Sequence, residues 1–300
     1  MFIGVICMLG VVGLWSIIPV LVKTALQMVD PFSLAFLRLT LGAGVMIAAY
    51  RLRGGAWRNL IPRERWIYIA GAGLSLNYIC FGLAFDFTSA GLGGLVIQIQ
   101  FVALALLAAL ILRERLGVLK ILGMATVIAG VVLVFGVRGD LSEVVRHVYA
   151  RGNAIMVIAG FAFGVYGVSV KSLSERKSNL EILIPILILA IVATGTVAAI
   201  RFELREPISI ERGGAIVVLG TLCTGVSFVL VSEGLRRLSA ALAGTITAAT
   251  TLINLLLARW ILDEPLTLWM LLSAFLVVSG ISGIAYSEWR EKDTKTAATE

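Results

Sequence analysis

Residues 90–100 read AGLGGLVIQIQ. They place two carboxamides, Gln98 and Gln100, inside a run from Ala90 to Leu112 that carries no charge. An amide in hydrocarbon needs a hydrogen-bond partner, so both side chains must face protein or water. Residues two apart on a regular helix point about 200° apart, so the pair cannot share one narrow face. The favoured reading has one glutamine lining a cavity and the other bonding a neighbouring helix, with Gln100 the better cavity candidate. The alternative is that both only join helices. A second polar feature comprises Gly244, Thr247, Thr250, Thr251 and Asn254, whose spacing of i, i+3, i+6, i+7 and i+10 puts them on one helix face. A threonine can bond the backbone one turn back, so a threonine stripe is often packing alone. Asn254 does this less easily and favours a cavity-facing stripe.

Other apolar runs hold fewer such residues. Asn77 and Tyr78 sit near the centre of one, and Trp15 and Ser16 precede Pro19, which can kink a helix and expose carbonyls. Phe163, Tyr166 and Ser227 occupy two more. An aromatic there is more often helix packing than ligand contact. Taken together, amides, hydroxyls and aromatics suit a small zwitterion with an apolar part. The candidate substrate-binding set is therefore Trp15, Asn77, Tyr78, Gln98, Gln100, Tyr166, Ser227, Thr247, Thr250 and Asn254.

Arg38 is the most telling charge, about two turns inside its apolar run, roughly 9–10 Å deep. Asp30, Asp86 or a carbonyl would partner it, unless it snorkels outward. It serves either as a structural anchor or as a clamp on a carboxylate. No catalytic set emerges: H-E-x-x-H, G-x-S-x-G, a phosphate-cradling glycine loop and paired midplane aspartates are all missing from the sequence. No cofactor or metal is expected. Cys7, Cys80 and Cys223 lie in apolar runs without metal spacing and read as small packing residues. Asp86 and Glu233 sit near span ends and the lone histidine, His147, in a loop, so no proton-coupling residue stands out.

The elements that must position these residues follow from composition. The chain is 59% hydrophobic and 14% charged, with mean hydropathy +1.00, against about 25% charged residues in soluble domains. Charges cluster in islands separated by apolar runs long enough to cross a bilayer as helices. The runs lack the two-residue alternation of a barrel strand. The sequence predicts an all-α polytopic membrane protein with ten transmembrane helices, at about 2–22, 32–50, 66–86, 90–112, 117–137, 153–172, 180–200, 213–233, 239–262 and 267–287. Segment 138–153 is long enough for a short surface helix, and 288–300 reads as a disordered polar tail. MFIGVICMLG lacks a basic leader and reads as an uncleaved first span. The net charge of +7 reflects basic loops and not a nucleic-acid surface. Placing both termini in the cytoplasm puts about twice as many Lys and Arg inside as outside. The lipid bilayer of the plasma (inner) membrane and a small-molecule substrate are the expected partners, nucleic acid is not, and a homo-oligomer stays open.

An internal repeat is also legible. At a shift of 150 residues Ser89-Ala90 meets Ser239-Ala240, Gly94 meets Gly244, and LRERL (112–116) meets LDEPL (262–266). Each copy holds five spans, an odd number, so the second enters the membrane upside down. The predicted units are 1–137, 153–287 inverted, and the tail 288–300. Inverted repeats are common in secondary transporters, with the substrate site between them near the midplane. A channel would want a selectivity ring, which nothing here supplies.

The motifs carry a resemblance as well. G-L-W-S-x-x-P-x-x-x-K (13–23), Pro31 with Phe36-Leu37-Arg38, and the E-R-L (114–116) and E-P-L (264–266) endings resemble the EamA family of the drug/metabolite transporter superfamily over nearly the full chain. AGLGGLVIQIQ is similar to the fourth-span string of its O-acetylserine/cysteine exporter branch. The resemblance implies a ten-helix exporter of amino acids or related metabolites, with a cavity lined by spans 1, 3, 4, 6, 8 and 9; a multidrug or other small-metabolite permease is the alternative. Phe101 and Thr251 stand where many relatives carry a proline in the fourth and ninth spans, so the proline-induced break is expected to be absent.

Overall fold

A computed structural model describes residues 2–114, 116–136, 149–174, 178–238 and 240–297. The elements are α1 (Phe2–Ser16), α2 (Ile18–Leu26), α3 (Pro31–Leu52), α4 (Arg65–Phe85), α5 (Ala90–Val96), α6 (Ile99–Ile111), α7 (Val118–Gly136), α8 (Ala150–Leu173), α9 (Asn179–Arg201), α10 (Ile210–Gly220), α11 (Ser227–Leu235), α12 (Ala240–Ala248), α13 (Thr250–Leu262) and α14 (Leu268–Ala297). A π-helical turn, Thr221–Val226, joins α10 to α11, and a 3₁₀ turn covers Trp57–Leu60. Among the described residues 9 helices are long and apolar enough to cross a membrane, and Val118–Val134 is a shorter apolar helix.

Several differences from the sequence reading have local causes. Span 1 breaks at Ile17 between α1 and α2, because Pro19 has no amide to donate back. The fourth and ninth spans break too, at Ile97–Gln98 and at Ala249, without any proline. There the backbone tightens to i→i−3 bonds: Gln100 N–H donates to Ile97 O at 2.9 Å, Phe101 N–H to Gln98 O at 3.1 Å, and Ala249 N–H to Ile246 O at 3.2 Å. The hydroxyl of Thr250 also donates to Thr247 O at 2.7 Å, a local side-chain bond that competes with regular helix. At the C-terminus α14 continues through the expected polar tail to Ala297. Its Glu, Arg and Lys residues are good helix formers, and neither Gly nor Pro stops it. The surface helix expected at 138–153 falls mostly outside the described residues, as does His147.

The helices pack around the breaks. α8 lies between α4 and α6, α3 runs against α9 and the π turn, α1 against α11, and α7 along α14. The α7–α14 crossing needs glycine: a Cβ on Gly123 would meet Gly280 O at 2.8 Å, and one on Gly280 would meet Gly123 O at 2.6 Å. Buried polar bonds pin the α4–α8 seam, with Asn77 Nδ2 donating to Ala159 O at 2.9 Å and Thr88 Oγ1 to Asn153 Oδ1 at 2.7 Å.

Helix ends are fastened by charged side chains. α6 and α13 end alike: Arg113 (φ 56°) and Asp263 (φ 52°) adopt the left-handed conformation. Beyond them Glu114 N–H donates to Ala108 O at 3.4 Å, and Glu264 N–H to Ala258 O at 3.3 Å. Glu264 then reaches the start of α5, accepting from Ala90 N–H at 2.7 Å and Gly91 N–H at 2.8 Å. Glu114 pairs with Lys171 at 2.9 Å and with Lys120 at 3.5 Å, and Lys120 also meets Glu288 at 3.1 Å. Burial pushes the Glu114 carboxyl up, but the two ammonium groups outweigh it and hold its pKa below the ordinary value. Near the other end Arg205 grips Asp86 through two bonds of 2.8 Å, which raises the guanidinium pKa further. Asp30 caps α3 through Phe32 N–H and Ser33 N–H and also accepts from Glu203 N–H.

Candidate functional site

The interruptions converge on one cavity of about 900 Å³, counting its open mouth. Trp15, Ile18 and Pro19 reach it from the break between α1 and α2. Gly94, Ile97, Gln98, Gln100 and Phe101 come from the break between α5 and α6, and Thr247, Thr250 and Asn254 flank the break at Ala249. Cys223 lies in the π turn, with Phe228 one turn on. Helix interruptions project backbone and side-chain groups that a regular helix would keep within its own ladder, and π turns recur at functional sites for that reason. Arg38, Asn77, Tyr78, Phe81 and Phe163 complete the wall from α3, α4 and α8.

Most of the residues singled out in the sequence thus meet in one place: Trp15, Asn77, Tyr78, Gln98, Gln100, Thr247, Thr250, Asn254 and Arg38 all line the cavity. Two do not. Tyr166 is buried behind the wall, its ring 5.2 Å from that of Phe163. Ser227 turns into the backbone, donating to Cys223 O at 2.6 Å and lying 3.2 Å from Thr224 O; it serves the π turn that carries Cys223. Cys223 itself, read from sequence as packing, is in the wall because of that turn. Phe81, Phe101 and Phe228 carried no sequence signal beyond their apolar character, although Phe81 follows Tyr78 by three residues and so shares its helix face.

The two glutamines differ as a broken helix allows. Gln98 is buried and donates from Nε2 to Thr251 Oγ1 at 2.8 Å, tying the fourth-span break to the ninth. Gln100 also borders the cavity, and its side-chain amide has no hydrogen-bonded partner among the described residues. Asn254 donates from Nδ2 to Ser16 O at 3.2 Å, a carbonyl whose usual helical acceptor role is disturbed by the break at Ile17. Gly94 makes room for it: a Cβ there would collide with the Asn254 amide. Thr247 and Thr250 bond their own backbone, as a packing stripe would, yet both still border the cavity.

Arg38 is 5% exposed and does not snorkel. Neither Asp30 nor Asp86 reaches it, since the first caps α3 and the second holds Arg205. Its guanidinium instead lies over the rings of Tyr78, at 4.8 Å, and Phe81, at 5.9 Å. Elsewhere in the wall Trp15 and Phe228 meet edge to face at 6.4 Å. No group of three or more His, Cys, Asp or Glu able to hold a metal occurs among the described residues.

The EamA-like transporter family model matches the chain twice, over residues 2–136 and 150–286. The chain belongs to the EamA-like transporter family. Its relatives are named as transporters. It is 25% identical over 309 residues to the uncharacterized inner membrane transporter YhbE of Escherichia coli, covering 96% of this chain and 93% of that one. It is 28% identical over 251 residues to the aromatic amino acid exporter YddG of Ancylobacter novellus, covering 81% and 83%. A solved structure titled only as the crystal structure of a protein shares the fold with a TM-score of 0.70 at 21% identity, covering 94% of this chain and 96% of that one. As an EamA member the chain is a multi-pass membrane protein of a transporter family, and family and relatives point to transport rather than enzymatic turnover.

Proposed function

We propose that the chain is a secondary transporter that exports a small zwitterionic metabolite, an amino acid or close derivative with an apolar side chain, by alternating access. The observation that carries this reading is the composition of the cavity wall: aromatic rings, carboxamides and one guanidinium, gathered where transmembrane helices are interrupted. Aromatic surface suits an apolar side chain, and the polar groups suit charged ends. The relative named as an aromatic amino acid exporter is consistent with that cargo class.

In this reading the chain makes ten spans in two inverted five-helix units, 1–137 and 153–287, with both termini cytoplasmic. Three features support the repeat. The family model matches once in each half. The fourth and ninth spans break at corresponding points. The left-handed residues Arg113 and Asp263 each precede a glutamate that fastens an edge. The basic loops support the orientation. The two units rock around the cavity, and the proline-free breaks supply the hinges, because their tightened turns leave fewer regular helical bonds to resist bending. Cargo crosses without any covalent step.

Efflux from bacterial cells tests this. Cells expressing the chain are loaded with labelled amino acids and O-acetylserine, and release is followed against an empty-vector control. Faster, saturable release of one group, inhibited by its own analogues, is the expected result. No acceleration across the panel, with the protein confirmed in the membrane, overturns the amino-acid cargo and moves the assignment to drugs or other metabolites.

A further inference from the structure

Among the described residues Arg38 is the only charged side chain in the cavity wall, and no carboxylate or carbonyl holds it. Its Nε is buried without an acceptor. A guanidinium out of water and without a counter-charge is costly. The Tyr78 and Phe81 rings offset part of that cost, since the negative faces of their π systems attract a desolvated cation. They do not neutralise the charge or fill its fork of donors, a geometry that matches a carboxylate.

The same wall holds the opposite deficit. Asn254 Oδ1 and Gln98 Oε1 are buried with no donor. Their nitrogens are already committed, to Ser16 O and to Thr251 Oγ1. For Asn254 the orientation is set by chemistry: Ser16 O can only accept, so the amide must present its NH₂ there and its oxygen elsewhere. Two lining residues with donor-less carbonyl oxygens therefore accompany, in one cavity wall, a cation lacking an anion.

Building on the transport reading above, we propose that the cavity recognises an α-amino acid by both of its charges. Arg38 takes the carboxylate, and Asn254 Oδ1 with Gln98 Oε1 takes the ammonium. The aromatic wall is left for the side chain. Arg38 and Asn254 are then specificity-determining residues, and a cargo lacking either charged end leaves a buried group unpaired.

The test uses the full chain in proteoliposomes and phenylalanine, leucine and methionine, each beside its carboxamide and its deamino acid. The readout is inhibition of labelled phenylalanine, leucine or methionine efflux. Each intact amino acid is expected to inhibit at least about tenfold more strongly than either truncated analogue, because a hydrogen bond to a charged group contributes about 1.5–3 kcal/mol. Arg38→Gln should erase the preference over the carboxamide, and Arg38→Lys should restore part of it. Asn254→Leu should erase the preference over the deamino acid and leave the other intact. The wild-type analogue series decides the matter even if a variant fails to fold. Equal inhibition by amino acid and carboxamide, with transport intact, overturns the Arg38 subsite alone. Equal inhibition by amino acid and deamino acid overturns the ammonium subsite. Absence of flux for all three amino acids overturns both this proposal and the cargo class on which it rests.

Discussion

Removal of the Glu264 carboxylate should loosen the whole entry to the fourth span. Among the described residues Glu264 is the only side chain that accepts from Ala90 and Gly91 N–H, at 2.7 and 2.8 Å, the first two amides of a helix that no preceding turn can satisfy. Each hydrogen bond to a charged group is worth about 1.5–3 kcal/mol, and a negative charge at a helix start adds about 0.3–1 kcal/mol. The site is only part-buried, so water replaces some of this, and Ser89 Oγ still caps Leu92 N–H at 3.2 Å. Glu264→Ala should therefore cost about 2–4 kcal/mol. Glu264→Gln, which keeps one acceptor oxygen but no charge, should cost roughly half of that. At about 2 °C per kcal/mol for a chain this long, the alanine variant should melt about 4–8 °C lower in detergent. It should also transport more slowly, because α5 leads directly into Gln98. Thermal melts of the three proteins, read by tryptophan fluorescence, make the comparison. Variants that melt within about 1 °C of wild type, or alanine and glutamine variants that are indistinguishable, would refute the capping argument.

Three further outcomes are expected. Gly94→Ala should push Asn254 off the Ser16 carbonyl and destabilise by about 1–3 kcal/mol, the usual cost of overpacking; adding Asn254→Ala should recover much of that loss in melts, whereas additive losses would show the two sites to be uncoupled. The lowered carboxyl pKa of Glu114 means that its contribution is fully present above the ordinary glutamate value of about 4.3 and disappears as pH falls through the lower folded value. Melting of the wild type should fall over that acid window, and Glu114→Gln should flatten the fall; parallel curves would contradict the assignment. Arg113→Gly should stabilise by about 1 kcal/mol, since an arginine in the left-handed region is strained and glycine is not. Asp263→Gly should gain less, because aspartate tolerates that conformation better, and a melt of each variant reads the difference.

Chain composition and charge spacing by themselves determined that this is a helical membrane protein, because a hydrocarbon core demands long apolar helices and leaves no freedom elsewhere. The polar residues within those runs were legible for the same reason. Gln98, Gln100, Asn77, Asn254 and Arg38 are costly in lipid, so they announce themselves, and all border the cavity. The tertiary structure alone decided what each one touches. Sequence distance offered Asp30 and Asp86 to Arg38, but loop 202–206 claims both carboxylates, leaving Arg38 to two aromatic rings. Helical periodicity treated the fourth and ninth spans as continuous once proline was missing. Their breaks instead rest on tightened turns and the Gln98–Thr251 bond across 153 residues, which no local pattern encodes. Sequence offered Ser227 to the cavity and Cys223 to packing, and the π turn reverses both, directing Cys223 to the cavity and Ser227 to the backbone. Burial cost is a property of a side chain and can be read along the chain; partnership depends on which helices meet, and only the packed bundle sets that.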